Sequence, residues 1–161
     1  MIRILLIGAG TMTLCLLLQS VLLAQAIRYY VRRHEALQAG TSWWATMMVI
    51  NSVMLLLLCG TFAQISIWAV VFMLVDEFDT FAAAVYHSGV NFATLGYGDI
   101  VMTERNRLLG PLEAINGVLM IGVSTAALLA TFQHAVKTGM AARPEEPLKG
   151  TVQRVKGDSH L

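Results

Sequence analysis

One short polar stretch between two strongly apolar regions carries the residue types best suited to chemistry. Residues 94–99 read Thr-Leu-Gly-Tyr-Gly-Asp. A dehydrated cation needs a cage of oxygens, and backbone carbonyls supply one where successive residues turn them the same way. That arrangement demands φ > 0 at some positions, which Gly96 and Gly98 adopt without a Cβ penalty. The Thr94 hydroxyl can add a side-chain oxygen, so the stretch predicts a selectivity filter for cations.

These residues resemble the signature of the potassium channel pore family, Thr-x-Gly-Tyr-Gly-Asp. An ordinary glycine-rich turn between helices is the alternative. The resemblance covers about residues 44–132 and implies an outer helix, a pore helix, the filter and an inner helix. It also implies a homotetramer with K⁺ as the permeant ion and no cofactor. The implied filter consists of Thr94, Leu95, Gly96, Tyr97 and Gly98, with K⁺ held at the first four of these.

The resemblance also assigns roles around the filter. Asp99 would anchor the filter at its outer mouth, and Tyr86 or His87 could brace it from the pore helix. Gly117 resembles the hinge glycine of inner helices, with close helix packing as an equal alternative. Gly122 is a second candidate hinge, although packing or cavity lining suits it better.

Three residues depart from the family pattern. Ala93 stands where a second threonine is usual, Leu95 where valine is commonest, and His87 where an aromatic residue often braces the filter tyrosine. A less selective or readily inactivating filter would follow from a weakened brace. A weakly selective cation channel is therefore one alternative function, and a non-conducting regulatory or scaffold subunit with the same pore fold is another.

The composition places these residues in a membrane. Of the 161 residues, 57% are hydrophobic and only 13% charged. Runs at residues 4–27, 43–75 and 108–136 are long enough to cross a hydrocarbon core of about 30 Å. Residues 80–92 are too few to cross, so they predict a re-entrant helix that returns as the filter. A signal peptide with Ala24-Gln25-Ala26 as its cleavage site is the alternative for the first run.

The predicted fold is therefore an all-α membrane protein with three transmembrane helices, a re-entrant pore helix and a filter loop in a tetrameric pore. Residues 1–42 would form the first transmembrane helix and a basic cytoplasmic loop. Residues 43–136 would form the pore domain, and residues 137–161 a disordered cytoplasmic tail.

The distribution of positive charge predicts the orientation. Arg28, Arg32 and Arg33 follow the first run, whereas only Arg3 precedes it. The positive-inside rule places that loop and the basic tail in the cytoplasm and the N-terminus outside. We expect an integral protein of a bacterial inner (plasma) membrane with the lipid bilayer as its partner. The net charge of +1 gives no reason to expect nucleic-acid binding.

Polar residues inside the predicted helices have expected structural roles. The Asn51 and Gln64 amides should bond neighbouring helices, and Glu113 should reach water or a donor on the pore helix. Asp79 is placed to cap the short helix. It also belongs to an acidic outer cluster, which would concentrate cations near the pore. The other members of this cluster are Asp76, Glu77, Asp99 and Glu104.

The sequence lacks the signals that are typical of several other functions. No apolar run carries arginines at every third position, so we expect no voltage-sensing helix. The predicted tail is too short for a ligand-binding domain. The histidines are scattered without ligand spacing, and no clustered catalytic groups suggest an intramembrane enzyme, so we expect no enzymatic activity.

Overall fold

The computed structural model describes residues 1–37 and 43–141, which form four helices in chain order. These are α1 (Ile2–Leu37), α2 (Trp43–Leu74), α3 (Phe81–Phe92) and α4 (Leu109–Ala141). Helices α1, α2 and α4 each contain a segment long and apolar enough to cross a membrane, whereas α3 does not. The described chain is an all-α membrane protein, which confirms the predicted fold class. Most of the predicted tail, residues 142–161, lies outside the described residues.

Two helices are longer than the hydrophobic runs that predicted them. Helix α1 continues through residues 28–37, which the sequence assigned to a loop, and α4 continues five residues past 136. Residues 28–37 contain neither glycine nor proline, and their arginines, Ala36 and Leu37 favour helix. Helix α2 has 32 residues and so measures about 48 Å, more than a perpendicular crossing needs.

The long helices form a bundle that holds α3. Helix α1 packs against α2 and α4, and α3 also packs against α2 and α4. Gln19 joins all three long helices, because its amide donates to Ser124 Oγ of α4 at 2.9 Å and accepts from Gln64 of α2 at 2.8 Å. The expected interhelical bond of Gln64 is therefore confirmed, whereas Asn51 is exposed. The largest buried cluster contains Ile4, Cys15, Trp68, Phe72, Phe92, Leu109 and Met120.

The connection between α2 and α3 is set by backbone geometry at both ends. After α2, Asp76 adopts the left-handed region with φ 59°, while the Asp76 and Glu77 amides bond the carbonyls of Met73 and Phe72. This pair of bonds is a Schellman motif. Thr80 caps α3, and its hydroxyl accepts from the Ala83 amide at 3.3 Å. The prediction of Asp79 as the cap is wrong by one residue, because Thr80 has the extended backbone that a capping residue needs.

Candidate functional site

The end of α3 sets the start of the 94–99 stretch. The Thr94 amide bonds the Asn91 carbonyl at 2.8 Å, and the Leu95 amide bonds the Val90 carbonyl at 2.9 Å. These bonds form a second Schellman motif, with Thr94 in the left-handed position that glycine usually occupies. Its φ of 59° costs about 1–2 kcal/mol for a residue with a Cβ. The helix end therefore imposes the first left-handed turn of the stretch.

The left-handed conformation recurs at every second residue. Thr94, Gly96 and Gly98 have φ of 59°, 57° and 73°, whereas Leu95 and Tyr97 between them do not have positive φ. The expected positive φ at both glycines is thus confirmed, and Thr94 adds a third position. Positive φ at alternate residues is the backbone feature that a cage of carbonyls facing one side requires.

The single chain leaves this stretch uncovered. All residues from Ala93 to Asp99 are exposed to solvent. The exposed fraction of the surface is 55% for Leu95 and 66% for Tyr97. An open cavity of about 530 Å³ separates the stretch from the start of α4. Its lining includes His87, Asn91, Thr94, Gly96, Gly98, Met102, Gly110 and Pro111.

Tyr86 fastens the outer end of the stretch to α3. Its hydroxyl donates to Asp99 Oδ2 at 2.6 Å. This bond lowers the pKa of Asp99 below its ordinary value and raises the pKa of Tyr86 above its own. The structure therefore brings together two of the residues predicted to support the outer mouth.

His87 occupies a buried position behind the same segment. Its ring contacts Phe72 and Phe78, with ring centroids 5.5 and 5.0 Å away, and its Nε2 lies 2.9 Å from the Asn91 amide nitrogen. Burial lowers the pKa of His87, although a bond to the Ile100 backbone and the nearby carboxylates of Glu77 and Asp99 act in the opposite direction. The ring thus packs between the end of α2, α3 and the segment that follows Asp99.

Glu77 ties the end of α2 to the loop that precedes α4. Its carboxylate accepts from the Thr103 amide at 2.9 Å, from the Thr103 hydroxyl, and from the Asn106 amide at 2.7 Å. Burial acts to raise the pKa of Glu77, but these bonds together lower it. The sequence predicts Glu77 in the acidic outer cluster but gives no signal for Thr103 and Asn106, whose types are common in ordinary turns.

Helix α4 contacts α3 at two points close to the stretch. Glu113, fully buried, hydrogen-bonds the buried Ser88 hydroxyl, so the expected polar partner on the short helix is found. Gly117 lies against Phe92, where an added Cβ would be 2.0 Å from the Phe92 carbonyl oxygen. Close packing at Gly117 is thus observed. Gly122 has no heavy atom within 4 Å of an added Cβ.

The described part of the chain shows no group of three or more His, Cys, Asp or Glu residues able to hold a metal ion. A family model described as "Ion channel" matches residues 53–134, just over half of the 161 residues. The match runs from within α2 through α3 and residues 94–99 into α4, and leaves α1 outside. No curated protein and no solved structure matches the chain.

Proposed function

This chain belongs to the ion channel family, and we propose that it conducts K⁺ passively and selectively across a membrane. The observation that carries the proposal is the backbone of residues 94–98, left-handed at Thr94, Gly96 and Gly98. Carbonyls of Thr94, Leu95, Gly96 and Tyr97, with the Thr94 hydroxyl, would replace the hydration shell of the ion. Conduction would then proceed by displacement between adjacent sites.

We further propose that four copies assemble around one axis. One chain supplies a single strand of carbonyls, and a closed ring of ligands needs several strands related by rotation. The exposure of residues 93–99 in the single chain is consistent with a surface that neighbouring copies cover. Helix α3 ends at the base of the strand, so the partial negative charge of its C-terminus favours a cation there.

The proposed orientation has the N-terminus outside and the C-terminus in the cytoplasm. Arginine residues at the end of α1 support it, because the positive-inside rule retains such segments in the cytoplasm. Residues 76–107, which include the filter, then lie on the outer side. A cysteine-reactive, membrane-impermeant reagent applied to an Asp79→Cys variant in intact cells would label the protein under this orientation and would fail to label it under the opposite one.

Ion flux from liposomes tests conduction and separates it from a scaffold function. Liposomes holding the purified protein and K⁺ are diluted into Na⁺ or N-methylglucamine buffer, and K⁺ release is followed. Gly96→Ala is the informative variant, since an added Cβ there has free space but an unfavourable φ of 57°. Gly10→Ala in α1 makes the same change, with equal space, in a helix. We expect wild-type and Gly10→Ala protein to release K⁺ and Gly96→Ala to release little. No release from wild-type protein would favour the non-conducting scaffold.

A further inference from the structure

Ser88 forms a junction between three helices. Among the described residues of α3, it is the buried residue whose side chain hydrogen-bonds two other helices. Its hydroxyl lies 2.8 Å from the Ile65 carbonyl oxygen of α2 and also bonds the Glu113 carboxyl of α4. Both Ser88 and Glu113 have 0% of their surface exposed. Ser88 precedes Thr94 by less than two helical turns, so this junction lies close to the start of the filter.

The number of available hydrogens defines how the junction is built. A hydroxyl carries one hydrogen, and a backbone carbonyl carries none to donate. For Ser88 to bond both groups, its hydrogen goes to Ile65 and the Glu113 carboxyl supplies the second hydrogen. Glutamine carries amide hydrogens at the same place, so Glu113→Gln preserves the junction, whereas leucine abolishes it.

Glu113 depends on this contact. One carboxyl oxygen bonds Ser88, and the other has no hydrogen-bond partner among the described residues. A buried polar group that loses a hydrogen-bond partner is costly, which favours retention of the bond. Four residues further along the same face of α4, Gly117 meets the backbone of Phe92. The face of α4 from Glu113 to Gly117 thus holds the last two turns of α3.

We propose that Glu113 is a positioning residue for the filter, which it controls through Ser88 and the C-terminal end of α3. The end of α3 imposes the left-handed Thr94 through the Schellman motif, so a displaced α3 would alter the first oxygen site. This inference rests on the proposed function of K⁺ conduction.

Four variants test the inference. Glu113→Leu and Ser88→Ala remove the junction, Glu113→Gln preserves it, and Gln19→Leu is the matched control. Gln19 is also buried and also bonds α4, through Ser124, but belongs to α1. The K⁺ to Na⁺ permeability ratio is measured from reversal potentials, and thermal denaturation is recorded for each protein. Amide hydrogen exchange of residues 88–95 is measured in parallel, because it reports on α3 whether or not the protein conducts.

We expect Glu113→Leu and Ser88→Ala to lower the permeability ratio about tenfold. One buried hydrogen bond contributes about 1.4 kcal/mol, and a free-energy change of that size corresponds to a factor of about ten. Glu113→Gln and Gln19→Leu should keep the ratio within about twofold, an allowance of a few tenths of a kcal/mol. If Gln19→Leu lowered the ratio as much as Glu113→Leu, the effect would be a general loosening of the bundle and the inference would be wrong. An unchanged ratio in Ser88→Ala would also overturn it, even if Glu113→Leu failed to assemble.

Failure of the proposed function can be distinguished from failure of the inference. Wild-type protein that passes no K⁺ would contradict conduction itself, and exchange then decides the inference. Faster exchange at residues 88–95 in Ser88→Ala than in Gln19→Leu would support the positioning of α3 by Glu113. Equal exchange in the two variants would contradict it.

Discussion

The contact between Gly117 and Phe92 gives the sharpest stability prediction. An alanine Cβ at position 117 would lie 2.0 Å from the Phe92 carbonyl oxygen and 2.8 Å from its carbonyl carbon. Ordinary contact begins at 3.4 Å, so α4 and the end of α3 would have to separate by about 1.4 Å. The clash is with backbone, and no change of rotamer relieves it. Overpacking costs about 1–3 kcal/mol, and we expect Gly117→Ala to reach the upper end of that range.

Thermal denaturation of the purified protein in detergent measures this cost. A loss near 3 kcal/mol should lower the midpoint by roughly 6–12 °C in a chain of this length. Gly122→Ala is the matched control, because the same substitution on the same helix meets nothing within 4 Å. Alanine exceeds glycine in helix propensity by about 1 kcal/mol, so Gly122→Ala should denature at or slightly above the wild-type temperature.

A wild-type midpoint for Gly117→Ala would refute the close approach of α4 to Phe92. The hinge interpretation of Gly117 makes a different prediction, since a helix stiffened at a hinge opens less often without losing stability. A variant with a normal midpoint and a reduced open probability would therefore favour the hinge. A lowered midpoint would favour packing.

Three further predictions concern the outer face. Tyr86→Phe removes the hydroxyl that bonds Asp99, so we expect the pKa of Asp99 to rise and the filter to inactivate faster, as current decay in bilayers would show. The folded state lowers the pKa of His87 from 6.5, so stability should fall as pH drops below about 6.5. His87→Gln should flatten the dependence of the denaturation midpoint on pH in that window. The folded state also lowers the pKa of Glu77 from 4.5, which stabilises the protein above pH 4.5, and this stabilisation is lost on acidification. Thr103→Val removes one hydrogen bond to Glu77, so the denaturation midpoint should fall less on acidification in this variant.

Much of the fold follows from the lengths of apolar runs. A hydrocarbon core of about 30 Å fixes the number of residues in a crossing helix, so three spans and one helix too short to cross could be predicted. The filter backbone was also predictable in part, because carbonyls that face one side require φ > 0 and glycine supplies it. The left-handed Thr94 was not predicted. It arises from the helix end that precedes it, and threonine is an unusual residue at that position.

The contacts between helices could not be predicted from one sequence. Ser88 is an ordinary small residue in an alanine-rich segment, and only the packing of α2 and α4 around α3 brings it to Ile65 and Glu113. Likewise, the choice between hinge and packing at Gly117 depends on how closely α4 approaches Phe92. The cap of α3 was misplaced because Asp79 and Thr80 are adjacent and both are good capping residues.

Reversal potentials show directly whether residues 94–98 form a K⁺-selective filter. The purified protein is incorporated into planar bilayers with opposed K⁺ and Na⁺ gradients, beside Gly96→Ala and Gly10→Ala. We expect reversal near the K⁺ equilibrium potential for wild-type protein and Gly10→Ala, with loss of that current or its selectivity in Gly96→Ala. Reversal near zero in wild-type protein, or selective current that survives Gly96→Ala unchanged, would contradict it.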